Sequence, residues 1–184
     1  MVNRLLTALI ALSLLFGVAC SQQRANTPSV KDQVNKALQN ASLNDVKVDE
    51  NRDKGVVTLS GDVKSPEEKQ RAEDIARQNA PNMVVSNEIG VRPQGAEGTA
   101  KDIDKNLDAG IEKNYKAALT ENRLDNQHIR VDVNNGVVTL KGDVDNMELR
   151  QKAEKLAANI PNVQQVVNEL EVKGAKSRKA PAGR

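Results

Sequence analysis

Cysteine, histidine and aromatic residues are almost missing from this 184-residue chain, which has one Cys, one His, one Phe, one Tyr and no Trp. Disulfide frameworks, Cys/His zinc sites, haem ligation and Cys–His nucleophilic dyads therefore lack the atoms they need. Stacking platforms for single-stranded bases are lacking as well. Apolar residues are scarce past the start: after Ala19, Leu, Ile and Val supply 35 of 165 residues, close to the level of ~20% below which chains tend not to fold. Any core must be small and aliphatic. The body also lacks an excess of either charge, with 10 Lys/Arg against 11 Asp/Glu in residues 28–93 and 11 against 13 in residues 99–173. That balance argues against a folded basic face that tracks phosphates, so no nucleic-acid partner is expected. Only residues 174–184 are one-sided, with Lys176, Arg178, Lys179 and Arg184 and no acid. Their Ala/Gly/Pro-rich composition predicts a disordered basic tail.

What is present at the N-terminus reads as an address. A short basic start, Met1 to Arg4, precedes the apolar run Leu5 to Phe16 and the small residues Gly17-Val18-Ala19, the three-part pattern of an export signal. The run is too short to be a stable membrane span. The lone Cys20 follows directly, and the segment resembles a bacterial lipobox, in which that Cys becomes the acylated first residue of the mature chain. It departs from the usual pattern at Gly17, where an aliphatic residue is more common; an ordinary signal peptidase would cut the same bond and release a soluble protein. Ser21 resembles the outer-membrane sorting pattern. Residues 1–19 are thus expected to be a signal peptide and 20–27 an N-terminal linker.

The rest of the chain is one unit written twice. Gly55-Val56-Val57-Thr58-Leu59-Ser60-Gly61-Asp62-Val63 recurs as Gly136-Val137-Val138-Thr139-Leu140-Lys141-Gly142-Asp143-Val144, differing only at Ser60/Lys141. Ala72-Glu73 matches Ala153-Glu154, Pro81-Asn82 matches Pro161-Asn162, and Asn87-Glu88 matches Asn168-Glu169. Each copy reads helix, strand, strand, helix, strand. The first opens with Ser29 and Asp32 ahead of Val30, Val34, Leu38 and Ala41 at helical spacing. The second has a longer first helix, Thr99 to Thr120, with the stripe Ile103, Leu107, Ile111, Ala118 and Leu119. Ser65-Pro66-Glu67-Glu68 starts the next helix of copy one, with Ser as cap and Pro in the first turn. The third strands alternate as Val85, Asn87, Ile89, Val91 and Val166, Asn168, Leu170, Val172, so one sheet face lies under helices and the other is open. A right-handed crossover makes strands two and three parallel, with strand two central. The fold class is α+β: two tandem αββαβ domains, each a mixed three-stranded sheet with two helices on one face, over 28–93 and 99–173 with a linker at 94–98.

This arrangement, V-x-V, then G-V-V-T-L-x-G-x-V, a capped helix and V-x-N-x-[IL]-x-V, resembles the BON domain, found in bacterial osmotically inducible and nodulation proteins. With a lipobox and two such units the chain is similar to dual-BON-domain outer-membrane lipoproteins; without acylation it is similar to soluble periplasmic members of the family. The resemblance implies an envelope location, an envelope-stress role and an anionic phospholipid surface as partner.

The candidate residues follow from position. Gly61 and Gly142 fall on the inward face of strand two, where a missing side chain lets other backbone come close; Gly55 and Gly136 belong to the same repeated framework. Asn87 and Asn168 point inward and need partners, which the nearby hairpin backbone could supply. His128 stands at the entrance of a strand with no acid/base partner, and the carboxylates are scattered, so no catalytic residue, metal site or cofactor is expected. Tyr115 sits at the edge of its helical stripe with Lys113 and Lys116 beside it, a candidate membrane contact. The function expected is a non-enzymatic envelope lipoprotein, acylated at Cys20, that binds anionic phospholipid and supports the outer-membrane barrier. The alternative is a soluble periplasmic stress protein or chaperone that holds other envelope proteins on open sheet faces through Val56, Thr58, Val137 and Thr139. A third reading has those faces packed on each other.

Overall fold

The computed structural model describes residues 29–173. The expected signal peptide, Cys20 and the basic tail lie outside them. The first domain runs α1 (Val30–Asn40), β1 (Val46–Asn51), β2 (Val56–Val63), α2 (Pro66–Asn79), β3 (Val84–Asn87) and β4 (Gly90–Val91). The second runs α3 (Glu97–Glu121), β5 (His128–Asn134), β6 (Val137–Val144), α4 (Met147–Ala158), β7 (Gln165–Asn168) and β8 (Glu171–Val172). This is the mixed α+β duplication that the repeat predicts. β1 and β5 pair antiparallel with β2 and β6, and the third strands pair parallel on the other side, which leaves β2 and β6 central.

Local chemistry sets the elements. Ser29 caps α1 by accepting the Asp32 N–H, and Ser65 caps α2 by accepting the Glu68 N–H while the Glu68 carboxylate accepts from Lys64 N–H. Asn146 does the same for α4 through Leu149 N–H at 2.9 Å. The second hairpin turns on Asn135 and Gly136, both at positive φ (49° and 79°), as a two-residue turn between right-twisted strands requires. Val34, Leu38, Ala72 and Ala76 of the helices meet Val57, Leu59 and Ile89 of the sheet in one core; Ile111, Tyr115, Leu119, Ala153 and Ala157 meet Val138, Leu140 and Val144 in the other.

Three sequence expectations need correction. Each third strand is broken, with β3 and β4 separated at Glu88–Ile89 and β7 and β8 at Glu169–Leu170, because Asn87 and Asn168 turn their side-chain oxygens onto the N–H two residues on and so replace a ladder bond. The third helix starts at Glu97, within the expected linker, and no side chain caps its N-terminus; Thr99 lies inside the first turn. The inner stripe of that helix does not extend to Ile103 and Leu107, which stand 54% and 43% exposed, because the small core below ends at Ile111.

Gly61 and Gly142 close the central strands against the start of the first strands. At φ +106° and +112° they turn the backbone, and an added Cβ would sit 2.3 Å from the Asp45 carbonyl oxygen and 1.9 Å from that of His128. Gly142→Ala and Gly61→Ala should each lower unfolding free energy by about 1–3 kcal/mol from backbone strain alone, with the clash added. The second-domain variant should be the worse of the two in urea denaturation. Gly55→Ala, also at positive φ but with open space around the new methyl, should cost less than either, and equal costs at all three would remove the close approach as their cause.

Candidate functional site

The sheet faces left uncovered by helices pack on each other along their central and third strands, while Asp49 and Asp132 on the first strands stay exposed. Of the residues expected to form a free adhesive surface, Val56 and Val137 join Val167 in a small apolar cluster, Thr139 is buried with them and Thr58 is half-buried. The face expected to hold other proteins is thus largely spent on the sister domain. Between the sheets lies a cavity of about 210 Å³ lined by Asp49, Thr58, Glu88, Asp132, Lys141 and Glu169 among others. Burial is the largest influence on Glu88 and raises its carboxyl above the ordinary 4.5, against the opposing pull of the Ser86 hydroxyl and Lys141. Lys141 donates to Asp132 at 2.7 Å, a bond that raises its ammonium.

Polar contacts frame the interface. Lys54, in the first hairpin loop, donates to the Glu169 carbonyl at 3.3 Å and pairs with the Glu171 carboxylate. Asn135, in the second hairpin turn, donates to the Glu88 carbonyl at 2.8 Å. The Gln165 side chain donates to Val85 O at 2.7 Å and accepts from Asn87 N–H at 3.3 Å. Arg92, just past β4, reaches across to Asp104 on α3 and to Asn135, with Asp62 of its own domain 3.3 Å from Nε. Asp108, one turn further along α3, accepts the N–H groups of Asn135 and Gly136 at 2.8 and 2.9 Å. The early part of α3 is therefore a strut, held by its charged side toward Arg92 and the hairpin, and its apolar residues Ile103 and Leu107 face outward. Beside Leu107 a shallow cavity of about 300 Å³ is lined by Asp104, Ile111, Asn162 and Val163.

The inward asparagines bond the second helices, not the hairpins. Asn87 Nδ2 donates to Glu73 Oε2 and Asn168 Nδ2 to Glu154 Oε2, both at 2.9 Å, with the Lys69 and Arg150 carbonyls as second acceptors. Arg150 closes the second strand break by donating to Asn168 O and Leu170 O at 2.7 and 2.9 Å. Lys69 holds the matching place in the first domain; burial lowers its ammonium, opposed by Asp104 and Glu73. These groups are structural pins.

Tyr115 is not at a surface. It is fully buried, its hydroxyl donates to Ala153 O at 3.2 Å, and burial pushes its phenol well above the usual range. Having only one large ring to spend, the second domain puts it at the centre. A change there tests the core, not membrane contact. Lys113 and Lys116 are exposed, Lys116 in an ion pair with Glu112. His128 is exposed beside Asp143. Among the described residues, no group of three or more His, Cys, Asp or Glu is arranged to hold a metal ion.

Sequence reasoning missed Arg92, Asp108, Gln165 and the outward turn of Ile103 and Leu107. One signal was there to be read: the first helix of copy two has 25 residues against 11 in copy one, and a core of equal size cannot cover the excess.

Both domains match the family model described as the BON domain, over residues 26–93 and 107–174. The chain belongs to the BON-domain family. It is 32% identical over 122 residues to Osmotically-inducible protein Y of Escherichia coli (strain K12), an alignment covering 66% of this chain and 59% of that protein, so the chain spans less than two thirds of its relative's length. Among solved structures it is similar to the C-terminal domain of CdsD, the structural protein of the type III secretion system of Chlamydia trachomatis, at 15% identity and a TM-score of 0.31, over 74% of this chain and 61% of that one. The second family match begins at 107, so the first ten residues of α3, Ile103 included, are an addition to the repeated unit.

The half-buried carboxyl of Glu88 carries a pH prediction. A folded-state pKa raised above 4.5 means that its contribution is fully present below that value and is lost as pH rises through the folded pKa. Glu88→Gln should flatten the fall in unfolding free energy across that window, measured by urea denaturation at a series of pH values. An unchanged slope would show that another group is responsible.

Proposed function

We propose that this protein is a non-enzymatic component of the bacterial envelope that docks on anionic phospholipid through the projecting half of α3, with an acylated Cys20 as its permanent anchor and support of the outer-membrane barrier as its role. The observation that carries the reading is the outward pair Ile103 and Leu107 on a helix that also bears the exposed Lys101, Lys105, Lys113 and Lys116. Two aliphatic side chains one turn apart present a narrow apolar stripe, and Lys113, the nearest of these lysines around the helix, can reach headgroups beside it. Asp104 and Asp108 are engaged by Arg92 and the hairpin turn, which reduces repulsion from an anionic surface. The four basic residues of 174–184 add attraction, on the order of 1 kcal/mol each near the surface.

Among the described residues no helix is long and apolar enough to cross a membrane, so attachment on this reading needs the lipid on Cys20 together with surface contact. One acyl chain gives only marginal binding, and a second signal makes it stable. The name of the Escherichia coli relative records osmotic induction, and this supports a role in envelope stress. The protein-binding alternative loses Val56, Val137 and Thr139, which are buried between the domains.

Ile103→Asp combined with Leu107→Asp should reduce co-flotation of the chain with phosphatidylglycerol vesicles several-fold while leaving the unfolding midpoint within experimental scatter, since both residues are exposed. Binding of the unaltered chain should weaken as salt rises through 0.1 M, where exposed charges are screened over roughly 10 Å. Equal binding to neutral and anionic vesicles, or no effect of the double change, would remove α3 from the account. Intact mass of the mature protein checks the anchor: the unmodified mass would reject acylation while leaving the vesicle result to stand by itself.

A further inference from the structure

Several of the contacts between the two domains come in reciprocal pairs. Lys54 and Asn135 hold the same place in the two repeats, as do Glu88 and Glu169. Lys54 donates to the Glu169 carbonyl and Asn135 donates to the Glu88 carbonyl, so each hairpin reaches the strand break of the other domain. Val56 and Val137, also equivalent, share one apolar cluster. The cavity between the sheets is lined by Thr58 with Thr139 and by Glu88 with Glu169. In a two-fold contact, residue i of one unit meets j of the other and j meets i. Both copies here satisfy that condition within a single chain.

Such a face does not distinguish the sister domain of its own chain from the same domain of another copy. Only the connection at 92–96 favours the internal partner. There Pro93 is followed by Gly95 at φ +85°, whose N–H donates to the Glu97 carboxylate at 3.0 Å. Opening this turn costs few contacts. Arg92 would travel with the first domain and find the same Asp104 and Asn135 on the partner chain.

We propose that two copies of this chain exchange domains across this face, the first domain of each packing on the second domain of the other, to form a two-fold dimer that keeps every interdomain contact. A short connection gives an effective concentration in the millimolar range, so the internal arrangement dominates in dilute solution and exchange grows with concentration.

Lys54 and Glu171 form an ion pair across the face, which makes the test direct. Isotopically light and heavy full chains are mixed, incubated at concentrations approaching millimolar, and coupled with a zero-length carbodiimide that joins amine to carboxylate. The expected result is a Lys54–Glu171 crosslinked peptide of mixed isotope composition whose share rises with concentration toward one half. Crosslinks that stay light–light and heavy–heavy at every concentration overturn the proposal. A charge exchange amplifies the effect. Lys54→Glu in one chain and Glu171→Lys in another place like charges together internally in each, whereas a dimer of the two chains restores one opposite-charge pair and keeps the original one. Their mixture should show a dimer mass by light scattering while each alone shows less; a mixture that remains monomeric near millimolar concentration overturns it as well.

Discussion

Each domain has a three-stranded sheet, two helices and few aliphatic side chains, so it can cover only one sheet face by itself. The uncovered face carries Val56 and Thr58 in one copy and Val137 and Thr139 in the other, too apolar to leave wet and too polar to build a second core. Placing the two faces together solves the problem for both. The apolar part of that contact is small, three valines, and the remainder is hydrogen bonds and ion pairs at its rim. Interfaces of that kind between domains are usually of moderate area and polar character. The position of α3, the role of Arg92 and the partial burial of Glu88 follow from this pairing.

The glycines at 61 and 142 serve the same economy. A chain with little apolar volume cannot waste space inside a sheet, and at these positions a backbone carbonyl occupies the room that a side chain would take. The broken third strands are part of the same scheme. Asn87 and Asn168 lie under the second helices, where each satisfies a Glu carboxylate, a helix carbonyl and its own strand at once, so two helices are fixed to two sheets by polar bonds instead of by bulk.

Much of the fold was legible because the sequence states it twice. The caps at Ser29 and Ser65 and the strand order came from local chemistry and from parity along strands. The misplaced residues share one cause: they depend on where a core ends or on what lies across an interface. Ile103 and Leu107 continue a correct helical stripe past the sheet that would have covered them. Tyr115 looked like an edge residue because helical spacing gives an angle and no depth. Val84 and Gln165 occupy equivalent strand positions, yet only the glutamine meets the other domain, and nothing in a single strand announces that difference.

That glutamine has one more effect. A parallel third strand ends its sheet with outward carbonyl and N–H groups, the template on which aggregating chains add strands. On β3 Val85 O and Asn87 N–H point away from β2, and the side-chain amide of Gln165 meets both. One primary amide thus imitates the peptide unit of a missing neighbour and occupies the place where an intruding strand would begin to pair, which protects the fold from templated misassembly as long as the two domains stay docked.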